Sequence, residues 1–157
     1  MSAPRFLDRK LFDGLAETAR TVPRRRYHHG FHALSEPCHR MVVGLQPDSY
    51  IAPHCHLDPD KSENLIVLRG QLGLLLFTEG GAVSDTRVMA AGGDCLGVDL
   101  PPGTFHALVV LAPDTMMFEC KAGPYLPLRE DERAAWAPGE GGAGVAEYLA
   151  WMRGHFS

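Results

Sequence analysis

The chain has 157 residues, 45% apolar and 22% charged, with a formal charge of −4 and a pI near 6.0. This excludes the sparse-apolar, highly charged signature of disorder, and the length suits one domain, residues 1–157, with a real core. The mild acidity argues against nucleic acid as a partner, although Arg24, Arg25 and Arg26 cluster.

Leu7, Leu11 and Leu15, with Phe12 beside them, recur at near-helical spacing among charged residues and predict an amphipathic helix over residues 4–20. Met1 to Lys10 has no apolar h-region, and the longest apolar runs, Leu72 to Phe77 and Ala107 to Ala112, are too short to span a bilayer. No membrane partner and a cytoplasmic location are therefore expected. From Met41 onward the pattern changes to short β-type runs over 41–45, 50–56, 64–68, 71–77, 86–89, 96–100, 106–111 and 116–121. Turn residues separate them: Pro47-Asp48, Asp58-Pro59-Asp60, Gly70, Gly80-Gly81, Gly92-Gly93-Asp94, Pro101-Pro102-Gly103 and Pro113-Asp114. Closely spaced short strands of this kind indicate an all-β sandwich or barrel, with its core over about 38–122. Helical patterns return at Arg129 to Trp136 and at Val145, Leu149 and Met152, a C-terminal tail over about 129–155. The glycine-rich stretch Gly139 to Gly144 reads as a short linker within that tail.

The chemistry concentrates in two places. His54 and His56 flank Cys55 at the end of a strand-like run, so alternation sends both imidazoles to one side, about 7 Å apart at the backbone. Glu63, after a loop of six residues, can return as a carboxylate donor from the neighbouring strand. His106 follows a Pro-Pro-Gly turn and shares a face with Leu108 and Val110, where an unpartnered imidazole would cost about 1–3 kcal/mol. His54, His56, Glu63 and His106 together are read as ligands of one divalent metal ion. Three imidazoles and a carboxylate suit Zn, Fe, Ni or Mn almost equally.

These residues, with Gly70 seven positions past Glu63, resemble the two motifs of the cupin superfamily over residues 48–110. The resemblance implies a double-stranded β-helix, or jelly-roll, barrel, and by analogy with related barrels a homodimer. Asp48, Cys95 and Val110 stand where those motifs carry Gly, Gly and commonly Asn. A narrower resemblance, to the WbuC family of cupin-fold metalloproteins, is carried by three segments. They are Pro23-Arg24-x-Arg26 with His32 six residues later, Ser49-Tyr50-x-x-Pro53-His54-x-His56, and Phe118-Glu119-x-Lys121-x-Gly123-Pro124-Tyr125. Gly30 stands where that family has Asn. The resemblance implies a connection with carbohydrate.

Around the metal, Arg24, Arg26 and His32 are candidates for binding the carboxylate or phosphate of a small-molecule ligand, although three consecutive arginines also fit a solvated surface. Tyr50, on the predicted face of His54 and His56, is a candidate acid, or else a core tyrosine with a satisfied hydroxyl. Glu119 and Lys121 share one face and are candidates for a proton-transfer pair or a cross-barrel ion pair, or else a structural pair at the barrel mouth. Cys55 must face away from its flanking histidines and is expected to be buried and inert. The other cysteines, Cys38, Cys95 and Cys120, show no metal-binding spacing and are expected reduced, and His28, His29, His39 and His155 are assigned outside the ligand set. Cupins host dioxygenases, isomerases and epimerases as well as pure binders, so an enzyme of one of those types and a non-catalytic binding module both stay open.

Overall fold

The structure, a computed structural model, describes residues 3–157. Helix α1 (Arg9–Thr21) is followed by strands β1 (Arg26–Gly30), β2 (Cys38–Leu45), β3 (Glu63–Arg69), β4 (Gln71–Phe77), β5 (Val83–Ala90), β6 (Gly97–Leu100), β7 (Phe105–Val110) and β8 (Thr115–Ala122), then helix α2 (Val145–Gly154). Five strands form one antiparallel sheet in the order β1-β2-β8-β3-β6, and three form a second in the order β5-β4-β7. This is the all-β jelly-roll barrel expected from the sequence, with a helix before it and another after it.

Alternation explains how three apolar layers come from one set of strands. Met41, Val43 and Leu45 of β2 meet Leu72 and Leu74 of β4 and Leu108 and Val110 of β7 between the sheets. The intervening Val42 and Met116 face outward, where Leu15 and Ala16 of α1 cover them. Outward-facing Leu75, Phe77, Ala107 and Val109 of the smaller sheet are covered by Met152 of α2 and by Tyr50.

Several boundaries differ from the sequence reading for identifiable reasons. Helix α1 begins at Arg9, not near residue 4, because the Asp8 carboxylate accepts from the Leu11 N–H and caps it, leaving Leu7 outside the helix and 44% exposed. Strand β1 lies before the expected core boundary at residue 38 and was not predicted, since its Arg-Tyr-His-His-Gly sequence has no apolar alternation. The expected helix over residues 129–136 is reduced to a three-residue 3-10 turn, Glu130–Glu132. The expected strand over 50–56 is irregular, with only His54 in isolated bridges.

Gly70 makes the turn from β3 to β4 at φ 76°, and a Cβ there would stand 2.3 Å from Thr115 Oγ1. Gly70→Ala is expected to lower stability by about 2–4 kcal/mol, from left-handed strain plus overpacking, read as an earlier urea midpoint with an unchanged slope.

Candidate metal centre

The irregular segment after Tyr50 is held on both sides by backbone pairing. Toward the barrel, the His54 N–H donates to the His106 carbonyl at 3.1 Å and the His106 N–H donates back to the His54 carbonyl at 2.9 Å. On the other side runs the strap 129–136. The Cys55 N–H donates to the Glu132 carbonyl at 2.9 Å, and the Ala134 N–H to the Pro53 carbonyl at 3.2 Å. The Glu132 carboxylate accepts from the Leu57 N–H at 2.8 Å and from the Arg129 N–H at 2.9 Å. His54 is thus clamped between β7 and the strap, and Glu63 opens β3 opposite Lys121 of β8.

The ligand atoms of His54, Glu63 and His106 all lie within 4.8 Å of one another, with Glu63 and His106 each only 4% exposed. His56 does not join that mutual set, but its Nε2 stands 3.0 Å from Glu63 Oε1. Three of the four expected ligands therefore converge, and His56 approaches through the carboxylate.

Tautomers decide what this convergence means. His54 Nδ1 is 3.0 Å from the Ala52 carbonyl and His106 Nδ1 is 2.9 Å from the Thr104 carbonyl. A carbonyl only accepts, so each Nδ1 carries a proton, which leaves Nε2 of each ring as the nitrogen available to a metal. His106 Nε2 faces Glu63 Oε2 at 3.1 Å, and buried His56 Nε2 faces Glu63 Oε1 at 3.0 Å. Burial, and then the neighbouring His106, push the His54 imidazole down to about 4, so it is neutral near pH 7. Two imidazoles and a carboxylate that converge in this way, with Nδ1 of each ring tied to a backbone carbonyl, fit a divalent cation.

Burial alone would raise the Glu63 carboxyl, but His106, His56 and Lys121 outweigh it and hold the group well below the usual carboxylate range. Lys121 Nζ donates to Glu63 Oε1 at 2.8 Å and contacts Glu119 Oε1 at 2.6 Å. Burial opposes the lysine's charge, but the two carboxylates raise its pKa above the ordinary value. Buried Glu119 is raised, by desolvation foremost, so it is the more readily protonated carboxyl of the pair. The Glu119–Lys121 contact runs along β8 and extends to Glu63 on β3, an ion pair within one sheet on the cavity wall and not one across the barrel.

A cavity of about 900 Å³ opens onto these groups and is also lined by Arg24, Arg26 and His32. Arg26 donates to the Tyr50 carbonyl at 3.0 Å and pairs with Glu140, which Arg24 also grips with two hydrogen bonds of 3.0 Å. His32 stacks on His39 with ring centroids 4.0 Å apart and accepts the Arg40 N–H at Nδ1. Of the two roles expected for Tyr50, the structure shows the core tyrosine with a satisfied hydroxyl and not the acid. Its hydroxyl donates to the Pro138 carbonyl at 2.7 Å in the apolar layer beneath α2, and Pro138 but not Tyr50 lines the cavity, because the irregular backbone breaks the alternation that placed it beside His54. Cys55 is fully buried and burial raises its thiol pKa, consistent with an inert role. His28, which also lines the cavity, was missed, although the every-second-residue pattern Arg24, Arg26, His28 could have found it. Nothing in the spacing of Glu132 or Glu140 marks either one.

Glu132 positions the His54–Leu57 segment and touches no ligand atom itself. Glu132→Ala is expected to weaken metal affinity about tenfold and Glu132→Gln, which keeps one acceptor, by less, as measured by competition with a colorimetric chelator.

A family model described as "Domain of unknown function (DUF6016)" matches residues 7–89. No curated protein sequence matches the chain. Among solved structures, KdgF from Halomonas sp. aligns with a TM-score of 0.51 at 19% identity, over 71% of this chain and 87% of that one. The conserved SPY1581 protein from Streptococcus pyogenes aligns with a TM-score of 0.53 at 15% identity, over 80% of this chain and 93% of that one. An oxalate oxidase in complex with the substrate analogue glycolate aligns with a TM-score of 0.51 at 18% identity, over 67% of this chain and 54% of that one, so the chain spans about half of it. These likenesses show the cupin jelly-roll fold. No described helix is long and apolar enough to cross a membrane. With its family model matching more than half of the residues, the chain belongs to the DUF6016 family.

Proposed function

We propose that the chain is a metal-dependent cupin that holds one divalent ion, Zn, Fe, Ni or Mn, and receives a small polar, sugar-derived molecule on the open side of that ion. The observation that carries the reading is the convergence of the ligand atoms of His54, Glu63 and His106 within 4.8 Å of one another, with Nδ1 of both histidines tied to backbone carbonyls. A divalent ion bound there would act as a Lewis acid and lower the pKa of a coordinated water. His54 and His106 would be its neutral donors and Glu63 its anionic one, with His56 completing the set. Lys121 orients the Glu63 carboxylate and Glu119, raised by burial, can hold or release a proton at the cavity wall. Arg24, Arg26 and His32 would receive the polar groups of the ligand.

The resemblance to the WbuC family supports the carbohydrate part of this reading, and a cytoplasmic homodimer belongs to it as well. The tethering of Tyr50 to Pro138 takes one expected acid out of the cavity and favours a second reading, a non-catalytic module in which the ion helps to recognise the ligand. Both readings require the metal.

Elemental analysis of protein purified without added metal is expected to find close to one first-row divalent ion per chain, and far less in His54→Ala and His106→Ala. Equal metal content in all three would reject the site. Turnover of a sugar-acid or nucleotide-sugar by the loaded protein separates the enzyme from the module, which would bind without conversion.

A further inference from the structure

Glu140 lies in the stretch Gly139 to Gly144, outside the metal centre but on the wall of the same cavity. Its carboxylate is held by three guanidinium donors, two from Arg24 at 3.0 Å and one from Arg26. Arg26 is almost enclosed, with its side chain 5% exposed, while Arg24 is 61% exposed. The two cations share this single carboxylate among the described residues, so the cluster keeps an excess positive charge facing the cavity. A forked guanidinium paired with a second one matches the planar, two-oxygen geometry of a carboxylate.

The segment that carries Glu140 is built to move without disturbing the core. Residues 139–144 are all exposed, and a Cβ added at Gly139, Gly141 or Gly144 would meet nothing within 4 Å. One end is anchored where the Tyr50 hydroxyl binds the Pro138 carbonyl, and the other where α2 begins at Val145. Between those anchors, the backbone hydrogen bond of the segment itself is a local one, from the Gly142 N–H to the Gly139 carbonyl. The Glu140 side chain is therefore the tie that holds this loop against the cavity mouth.

From these observations we infer that Arg24 and Arg26 form a carboxylate-binding subsite that Glu140 fills in the free protein, and that an organic carboxylate enters the cavity by displacing Glu140. This rests on the cavity being a small-ligand site, as proposed above, and adds both the ligand's charged group and an internal competitor for it. The loop lowers the apparent affinity by the fraction of time Glu140 occupies the arginines, and it swings outward when the ligand binds.

The test uses glucuronate as the probe and glucose as its uncharged counterpart, titrated calorimetrically into metal-loaded and chelator-treated wild-type, Glu140→Ala and Arg24→Gln proteins. Glu140→Ala is expected to tighten glucuronate binding about fivefold, the release of an internal competitor of ordinary surface ion-pair strength, with no change for glucose. Arg24→Gln weakens glucuronate alone, and glucuronate raises amide exchange over 139–144 in the wild type. Equal glucuronate affinity in wild type and Glu140→Ala, equal affinity for glucuronate and glucose, or no saturable glucuronate binding overturns the inference. Metal content measured on the same samples keeps the two readings apart. Protein that takes up no divalent metal on loading yet shows the Glu140→Ala gain contradicts the metal reading and upholds the subsite, whereas metal-loaded protein without that gain contradicts the subsite alone.

Discussion

A buried carboxylate enclosed by imidazoles from separate elements is the constraint on which the rest of this structure turns. Glu63 lies 3.0 Å from His56 Nε2 and 3.1 Å from His106 Nε2, and His106 keeps its proton on Nδ1 for the Thr104 carbonyl. A carboxylate enclosed this deeply stays ionised only beside positive charge or donors, because its desolvation would otherwise favour the protonated form. Lys121 meets one Glu63 oxygen at 2.8 Å, and the imidazoles of His56 and His106 surround the rest. A divalent ion answers all of these groups at once.

The surrounding fold serves that convergence. Glu63 and His106 come from β3 and β7, in different sheets, so the barrel must close before they meet. His54 comes from a segment that belongs to neither sheet, and reciprocal hydrogen bonds to His106 and to the strap at Glu132 and Ala134 substitute for strand pairing. The apolar layer between the sheets fills part of the barrel and leaves the space beside Glu63, His106 and Lys121 as the cavity. Rigid packing on one side and an open mouth on the other are what a site for a small molecule requires.

Most of this architecture was legible in the chain because alternation and turn chemistry are local signals. Strand β4 matches its expected limits, 71–77, and His106, Leu108 and Val110 share the inward face that their spacing implied. The same logic reached His54, Glu63 and His106 from their intervals alone. It failed where tertiary pairing overrides pattern. Tyr50 to His56 carries the alternation of a strand, yet Pro53 has no N–H to donate and the Cys55 N–H turns to Glu132, so Tyr50 leaves the face on which it was expected. Arg129 to Trp136 carries a helical pattern, but its backbone bonds are taken by the His54 segment. Glu132 and Glu140 work through contacts 75 and 116 residues away in sequence, to Leu57 and Arg24, which no local pattern can announce.

The Arg24–Arg26–Glu140 cluster and the Glu63 centre occupy opposite ends of the same chemical problem, an enclosed charge seeking its complement, and both open onto one cavity. At the Glu63 centre, His54, Glu63 and His106 form the candidate cation site. Anomalous diffraction from crystals grown with zinc, recorded on both sides of the absorption edge, tests it most directly. One strong peak is expected about 2.0–2.2 Å from His54 Nε2, His106 Nε2 and a Glu63 oxygen. A peak only at surface residues, with these three side chains still in mutual contact and no ion between them, would contradict it.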